Sequence, residues 1–524
     1  MKFTIRHQRI LISTFIALTL AGLAGQAFAQ YLMPPGYTSI FKADYAGIRL
    51  FKESLGLGHV GAVSSATFVG LFRGFTLLAY FSYAGLLLSA YRANDLDLRR
   101  GLTFVGVAAS TIAVLFPPGM SADVFSYLAY AHMTARHLNP YFTPPGALIA
   151  LHDPVTAFLP HIDPRTPAAG LKWNIPTVYG PVWTMTSVAL SMIGGGSLFA
   201  QAVLLKLLEA GAVMIAAYGA YTIAKSTAPL RAPVVFLAVG LNPLLLSEGP
   251  GNGHNDMLMM ALVVLAGAFL VRRLPTRAAM VLGAAVGVKV IPILLVPWMV
   301  WEYRDRFASP VRVFKAVAAF AGPLVLAFVP YWHGPSTLRS ILLRGTVKPV
   351  GHAGLSSTIG TGHTGPTLAT LVHDNAIVVI AYLSLTAMVL LTSRRGGQTA
   401  AEHSEITAPA TSVSWAMGWS MLSVIVVYFL LKLLFPWYAI WMWTAAMVSW
   451  SRSHLNLALI SWSISLMTSW LYTLSSSLEA GNLICILLLS TVVSILGINY
   501  FSYVCKINKK TYTVELCLFN KSAV

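Results

Sequence analysis

Long apolar runs, each closed by a short loop carrying Lys or Arg, recur along most of this chain and leave it one class of fold. The first follows Lys2, Arg6 and Arg9 and extends from Ile10 to Phe28; others occupy residues 66 to 91, 101 to 118, 197 to 224 and 313 to 332. Runs of about 20 apolar residues match the thickness of a bilayer core. With 56% apolar and only 10% charged residues, the chain lies far from the roughly 25% charged fraction of soluble globules. The expected fold is all-α: a polytopic helical membrane protein of about 13–14 spans. The net charge of +18 does not argue for nucleic acid, because the basic residues sit in loops between apolar runs, the usual distribution on the cytoplasmic side. Cys485, Cys505 and Cys517 all fall late in the chain, which suggests neither a disulfide framework nor a metal site.

Loop charge sets an orientation. Residues 1–29 read as a signal peptide with a small-residue end at Ala27-Phe28-Ala29 or as a first transmembrane helix, and both leave Gln30 outside. Arg92, Arg99 and Arg100 then mark a cytoplasmic loop, so the run 101 to 118 emerges on the extracytoplasmic face. Residues 176 to 195 read best as a re-entrant or surface helix, since that choice keeps Lys225 and Arg231 inside. Residues 232 to 247 run outward and 257 to 271 return. Both flanks of residues 278 to 301 look cytoplasmic, so a short hairpin turning near Lys289 and Pro292 is expected there. A membrane core would cover 30–395, a Gly- and Thr-rich cytoplasmic linker 396–411, further spans 412–505 and a cytoplasmic tail 506–524. No fixed-period repeat is visible, so the sequence lacks the clearest sign of an inverted-repeat transporter.

Four features carry chemistry. The stretch from Pro117 to Pro145 places Ser121 and Asp123 where a short helix should begin, since short polar and anionic side chains suit a helix N-terminus. Phe125, Tyr127, Leu128, Tyr130, Ala131, Met133 and Leu138 give that helix an amphipathic pattern, expected to lie on the membrane and to end at Asn139-Pro140-Tyr141. Asp123 is either a reactive acid or only the cap of a juxtamembrane helix. The second feature, Glu248-Gly-Pro-Gly-Asn-Gly-His-Asn-Asp256, packs two acids, a histidine and two asparagines around glycines. That spacing reads as non-helical backbone, tolerated at membrane depth only where it lines a cavity or is covered by protein; the alternative is an ordinary tight loop. Third, Lys289 lies within an apolar run, where an unpaired charge costs about 3 kcal/mol, so it is a site residue or the partner of a structural acid. Lys206 and Glu209, three apart on one helix, are expected to neutralise each other. Fourth, the loop 333 to 375 carries Arg339, Arg344, Lys348, His352 and His363 on the outer face, against the usual bias, which suggests an anionic lipid phosphate. None of the histidines has zinc-ligand spacing.

Taken in order, Ser121-Ala-Asp-Val-Phe-Ser-Tyr127, Leu138-Asn-Pro-Tyr141, Tyr179-Gly-Pro181, Leu241-Asn-Pro-Leu244, Glu248 to Asp256, Val288-Lys-Val290 and Pro436-Trp-Tyr438 resemble the motifs of bacterial integral-membrane GT-C glycosyltransferases. The resemblance is nearest to the polyprenyl-phosphomannose-dependent alpha-(1→6) mannosyltransferases and spans roughly residues 100 to 450. It implies a hexosyltransferase of the bacterial inner (plasma) membrane with an extracytoplasmic active site. A sugar, mannose by this resemblance, would pass from a polyprenyl-phosphate donor to a glycan or glycolipid acceptor with inversion. Asp123 would act as general base and Lys289, Arg344 or Lys348 would face the leaving phosphate. Glu248, Asn252, His254, Asn255 and Asp256 would hold sugar hydroxyls or a divalent cation (Mg or Mn), with no cofactor fixed by the motifs. Tyr127, Asn139, Tyr141 and Tyr179 are the further substrate-binding candidates. A transporter or flippase of lipid-linked sugars is the rival expectation. It would need a path open to both sides, whereas the polar clusters converge on the outer face.

Overall fold

A computed structural model describes residues 5–35, 37, 45–90, 97–158, 175–227, 229–302, 309–342 and 440–441. The chain begins with α1 (Ile5–Tyr31), α2 (Tyr45–Ser54), α3 (Ser65–Ala90) and α4 (Leu98–Leu115), followed by α5 (Asp123–Ala135) and a one-turn α6 (Ala147–Ala150). Next come α7 (Pro181–Gly194), α8 (Leu198–Thr227), α9 (Ala232–Gly240) and α10 (Pro243–Leu246), which passes into a π-helical turn at Ser247–Gly251. The remainder is α11 (Asp256–Val271), α12 (Pro275–Val288), α13 (Val296–Glu302), α14 (Pro310–Phe328) and α15 (Arg339–Leu342). There is no strand among the described residues. Among the described residues five helices are long and apolar enough to cross a membrane, or six if the bent pair Pro229–Gly240 and Pro243–Gly251 is one span. The protein is therefore an all-α, multi-pass membrane protein.

In a bilayer, helices associate through close packing and hydrogen bonds rather than through hydrophobicity. The contact between α1 and α3 follows that rule. A Cβ on Gly22 would lie 2.5 Å from the Ala79 nitrogen, and one on Gly25 would enter the Phe75 ring. Gln26 Nε2 donates across the same seam to Thr76 Oγ1 at 2.6 Å, so the apolar run after Arg9 is a docked helix of the bundle.

Several expectations are changed by packing. The helix after Asp123 does not lie on a surface: from Asp123 to Ala131 every residue is buried, because α7, α8 and the 3-10 turn Pro154–Phe158 pack around it. It also stops at Ala135, short of Leu138, and His137 takes a positive φ of 60°. Residues 232 to 247 do not form one straight helix. The helix breaks at Leu241, and Asn242 caps the next turn by accepting from Leu244 N and Leu245 N at 2.8 and 3.1 Å. Asn242 Nδ2 donates to Tyr83 Oη, and Tyr83 donates in turn to the Ala238 carbonyl near the end of α9. The Leu241-Asn-Pro-Leu244 motif is thus a helix break whose exposed backbone groups are satisfied inside the bundle.

Helix α7 has 14 residues, about 21 Å at 1.5 Å per residue, too short to cross a full bilayer core of about 30 Å. The chain also breaks at Lys289, which is extended (φ −152°, ψ 135°) and precedes a 3-10 turn at Ile291–Leu295. This is the position where the charge pattern calls for a turn. The spans expected beyond residue 375, the linker, the three cysteines, and Arg344, Lys348, His352 and His363 lie outside the described residues.

Lys206 and Glu209 do not neutralise each other. Both are fully buried, and each serves a different helix end. Lys206 donates to the Phe116 carbonyl after α4 and lies 4.5 Å from the centre of the Phe51 ring. Glu209 accepts from Leu258 N, in the first turn of α11, at 2.8 Å. A cation at a helix C-terminus and an anion at an N-terminus complement the helix dipoles, which gives each charge a better partner than the other. This pair of contacts fixes α4 and α11 to α8 just where the site loops begin.

Candidate active site

The two polar stretches meet at His254. Its Nδ1 lies 3.6 Å from Asp123 Oδ2 and its Nε2 lies 3.4 Å from Glu248 Oε2, with the ring fully buried. Burial opposes a charge on this imidazole, but the flanking Asp123 and Glu248 carboxylates outweigh it and raise its pKa. The next residues continue the contact chain in both directions. Asn252 Nδ2 donates to Glu248 Oε2 at 3.2 Å. Tyr127 Oη donates to Asn255 Oδ1 at 3.4 Å, and Asp256 Oδ1 accepts from Lys289 Nζ at 2.7 Å and from Trp441 Nε1 at 2.6 Å. Lys289 also lies 5.2 Å from the centre of the Trp441 ring.

The local backbone explains how so many polar groups fit. Ser247 to Gly251 is not irregular but π-helical, a wound-open turn frequent at functional sites, and α11 starts afresh at Asp256. Between them Gly253 has φ +75°, and a Cβ there would lie 2.4 Å from Val124 Cγ2. Only glycine allows both the left-handed turn and the contact with the first turn of α5. We therefore expect Gly253→Ala to lose about 1–2 kcal/mol from backbone strain and a further ~1–3 kcal/mol from overpacking against Val124. Thermal unfolding of the detergent-solubilised variant measures it, and an unchanged midpoint would contradict this account.

Asp123 is the first residue of α5 but does not cap it. The preceding Ala122 offers no side-chain cap, and Ser121 Oγ instead accepts from Asp123 N at 3.2 Å. Asp123 is 4% exposed and its carboxylate is directed to His254, so it is not the cap of a juxtamembrane helix.

Asn139, Tyr141 and Tyr179 stand elsewhere. Asn139 Oδ1 accepts from Tyr141 N and its Nδ2 donates to the Tyr331 carbonyl at 2.9 Å. Tyr141 Oη donates to the Tyr179 carbonyl at 3.2 Å and pairs with Thr184 Oγ1. The Tyr179 ring packs edge-on against Tyr127. These residues hold the segment after α5 against α7 and the end of α14, and Tyr127 reaches the acid cluster through its hydrogen bond to Asn255. Gly180 N donates to the Val288 carbonyl at 3.1 Å, and a Cβ on Gly180 would overlap the Gly287 carbonyl. Tyr179-Gly-Pro181 thereby fixes the backbone immediately before Lys289.

A second polar cluster escaped the sequence reading. His132 Nδ1 meets Asp153 Oδ1 at 2.7 Å, its Nε2 meets Gln201 Oε1 at 2.8 Å, and Arg136 donates to Asp153 Oδ2 at 3.0 Å. Val155 N also donates to Asp153 Oδ1. Its groups satisfy one another and tie α5, the following loop and α8 together. The i, i+4 spacing of His132 and Arg136 was a usable signal; the partner Asp153 lies too far along the chain to be paired by spacing.

Among the described residues no group of three His, Cys, Asp or Glu side chains is arranged to hold a metal ion. The place between Asp123 and Glu248 is filled by the His254 ring, and Asp256 is engaged by Lys289 and Trp441. The residues present do not form a divalent-cation site, and no step below is routed through one.

Helices that cross a membrane, around a buried junction of carboxylates, an imidazole and a lysine, define an integral-membrane protein with an enclosed polar site. Comparison with known proteins narrows that class. Residues 50–304 match the family described as Alpha-(1->6)-mannopyranosyltransferase, N-terminal domain. The chain is 26% identical over 407 residues to Alpha-(1->6)-mannopyranosyltransferase A of Mycobacterium tuberculosis, covering 74% of this chain and 71% of that protein. It is 24% identical over 219 residues to Alpha-(1->6)-mannopyranosyltransferase A of Corynebacterium glutamicum, covering 41% of each. No solved structure matches the chain. The chain is thus similar to the alpha-(1→6)-mannopyranosyltransferases, the resemblance that its motifs carry.

Proposed function

We propose that the protein is a membrane mannosyltransferase that moves mannose from a polyprenyl-phosphate donor to a glycan or glycolipid acceptor at the extracytoplasmic face of the bacterial inner membrane. The observation that carries this reading is Asp123 facing one nitrogen of the buried His254 ring while Glu248 faces the other, within the segment that matches the mannosyltransferase family. In the reaction the acceptor oxygen bonds to the anomeric carbon as the carbon–oxygen bond to the phosphate breaks. The acceptor's proton passes to Asp123, and polyprenyl phosphate leaves with the electron pair. A single displacement inverts the centre, so a β-linked donor gives an α product. His254, between the two carboxylates, orients Asp123. Glu248, Asn252, Asn255 and Tyr127 supply donors and acceptors for sugar hydroxyls. Lys289 is the first candidate to face the leaving phosphate; Arg344 and Lys348 are the alternatives.

Membranes containing the protein, given radiolabelled polyprenyl-phosphate-mannose and an α-mannoside acceptor, are expected to form a new α-(1→6) linkage, and given nucleotide-mannose alone to form none. Transfer from the nucleotide donor without lipid would overturn the donor assignment. Uptake or flipping of the lipid-linked sugar without transfer would favour the transporter.

A further inference from the structure

Beside Glu248 and Asn252 lies a small cavity to which the reaction above assigns no particular group. Gln30 from the end of α1 lines it with Ser247, Glu248, Asn252, Phe116 and Met120. Gln30 is fully buried, yet neither its Nε2 nor its Oε1 meets a hydrogen-bond partner, and Asn252 Oδ1 is likewise unmatched. Buried amides are ordinarily hydrogen-bonded, because leaving such a group unmatched is costly. Two neighbours make this a built position rather than a packing fault. Gly119, in the loop that leads to Asp123, passes so close that a Cβ there would come within 3.0 Å of Gln30 Oε1. Glu248 and Asn252, which share its lining, already bond each other. Gln30 is thereby held between the two loops that form the candidate active site.

The geometry points to a hydroxyl-binding subsite in which Gln30 and Asn252 together grip one hydroxyl of the acceptor sugar. The chemistry of the lining selects the ligand. Neutral amide donors and acceptors beside one carboxylate suit a hydroxyl, which both gives and takes a hydrogen bond, and offer no cation for a phosphate. Size selects further: the cavity has room for about one water-sized group, enough for a hydroxyl arm and too little for a ring. Its place assigns it to the acceptor. Lys289 bonds Asp256 at one end of the segment 252–256, and Asn252 bonds Glu248 at the other, so the cavity borders the end opposite the lysine proposed for the donor phosphate. The acceptor assignment rests on the mannosyltransferase reading. The presence of a hydroxyl subsite does not.

Two measurements test it on the full-length, detergent-solubilised protein. In the first, binding of methyl α-D-mannopyranoside and its 2-, 3-, 4- and 6-deoxy analogues is compared in wild type, Gln30→Met and Gln30→Asn. One deoxy analogue should bind the wild type about 10-fold more weakly than the parent, a loss of about 1.4 kcal/mol. That difference should vanish in Gln30→Met, which keeps the side chain's length, and be reduced in Gln30→Asn, which keeps the amide. Equal discrimination in all three proteins, or no mannoside binding by the wild type, overturns the subsite and leaves the cavity to water. In the second, Gln30→Met should raise KM for the α-mannoside acceptor while KM for polyprenyl-phosphate-mannose stays unchanged, and the reverse pattern overturns the acceptor assignment. Hydroxyl discrimination without any transfer would retain the subsite and reject the transferase reading instead.

Discussion

Asp123→Asn is expected to lower sugar transfer by about 10²–10⁴-fold, the range that a positioned general base supplies, with the protein still inserted and folded. The substitution is nearly isosteric, and the amide oxygen can still face His254 Nδ1, now 3.6 Å from the carboxylate. What it removes is the basic oxygen that takes the acceptor's proton. Glu248 on the other side keeps His254 partnered, so the loss of one charge does not strand the imidazole. The check is the initial rate of transfer from polyprenyl-phosphate-mannose, normalised to the amount of protein in the membrane. A drop of less than about 10-fold would leave too little for a general base and would return Asp123 to a structural part.

That expectation was legible in the sequence because the costly residues are local. Asp123, and the run from Glu248 to Asp256, stand at the ends of apolar stretches, where charge and glycine are conspicuous without any knowledge of packing. What could not be read was which residues turn toward one another. The apolar pattern after Asp123 has polar positions, and on its own it describes a helix half in water. The burial of both faces comes from α7 and α8, which arrive 58 and 75 residues later. Asn139 and Tyr141 stand in the same stretch as Asp123, yet their polar atoms are engaged by Tyr331, Tyr179 and Thr184, contacts that no local spacing reveals. Lys206 and Glu209 misled for the same reason. Proximity on one helix suggested a pair, while the free ends of α4 and α11 offered each a better partner. Gln30 was invisible as a candidate because an amide near the end of an apolar run carries no charge to mark it. Only the closeness of α1 to the loops at Gly119 and Glu248 gives it a place in the site.

The remaining large effect concerns Lys289, for which a site role and a structural pairing both fit the sequence. Its Nζ bonds Asp256 at 2.7 Å, with side chains only 9% and 1% exposed, so removal of one partner should leave a buried charge at a cost of about 3–5 kcal/mol. Lys289→Met and Asp256→Asn should each lower the thermal midpoint of the solubilised protein. Trp441, which also donates to Asp256 at 2.6 Å, keeps one hydrogen bond to the acid in the first variant. Lys289→Met combined with Asp256→Asn removes both charges together, and stability should return toward that of the wild type, since a buried ion pair replaced by neutral groups is often close to neutral in energy. Transfer activity separates the two roles. If Lys289 neutralises the leaving phosphate, the double variant is stable and inactive, because the developing charge has lost its cation and nothing restores it. If the lysine only balances Asp256, activity returns with stability, and the phosphate's partner must be sought at Arg344 or Lys348.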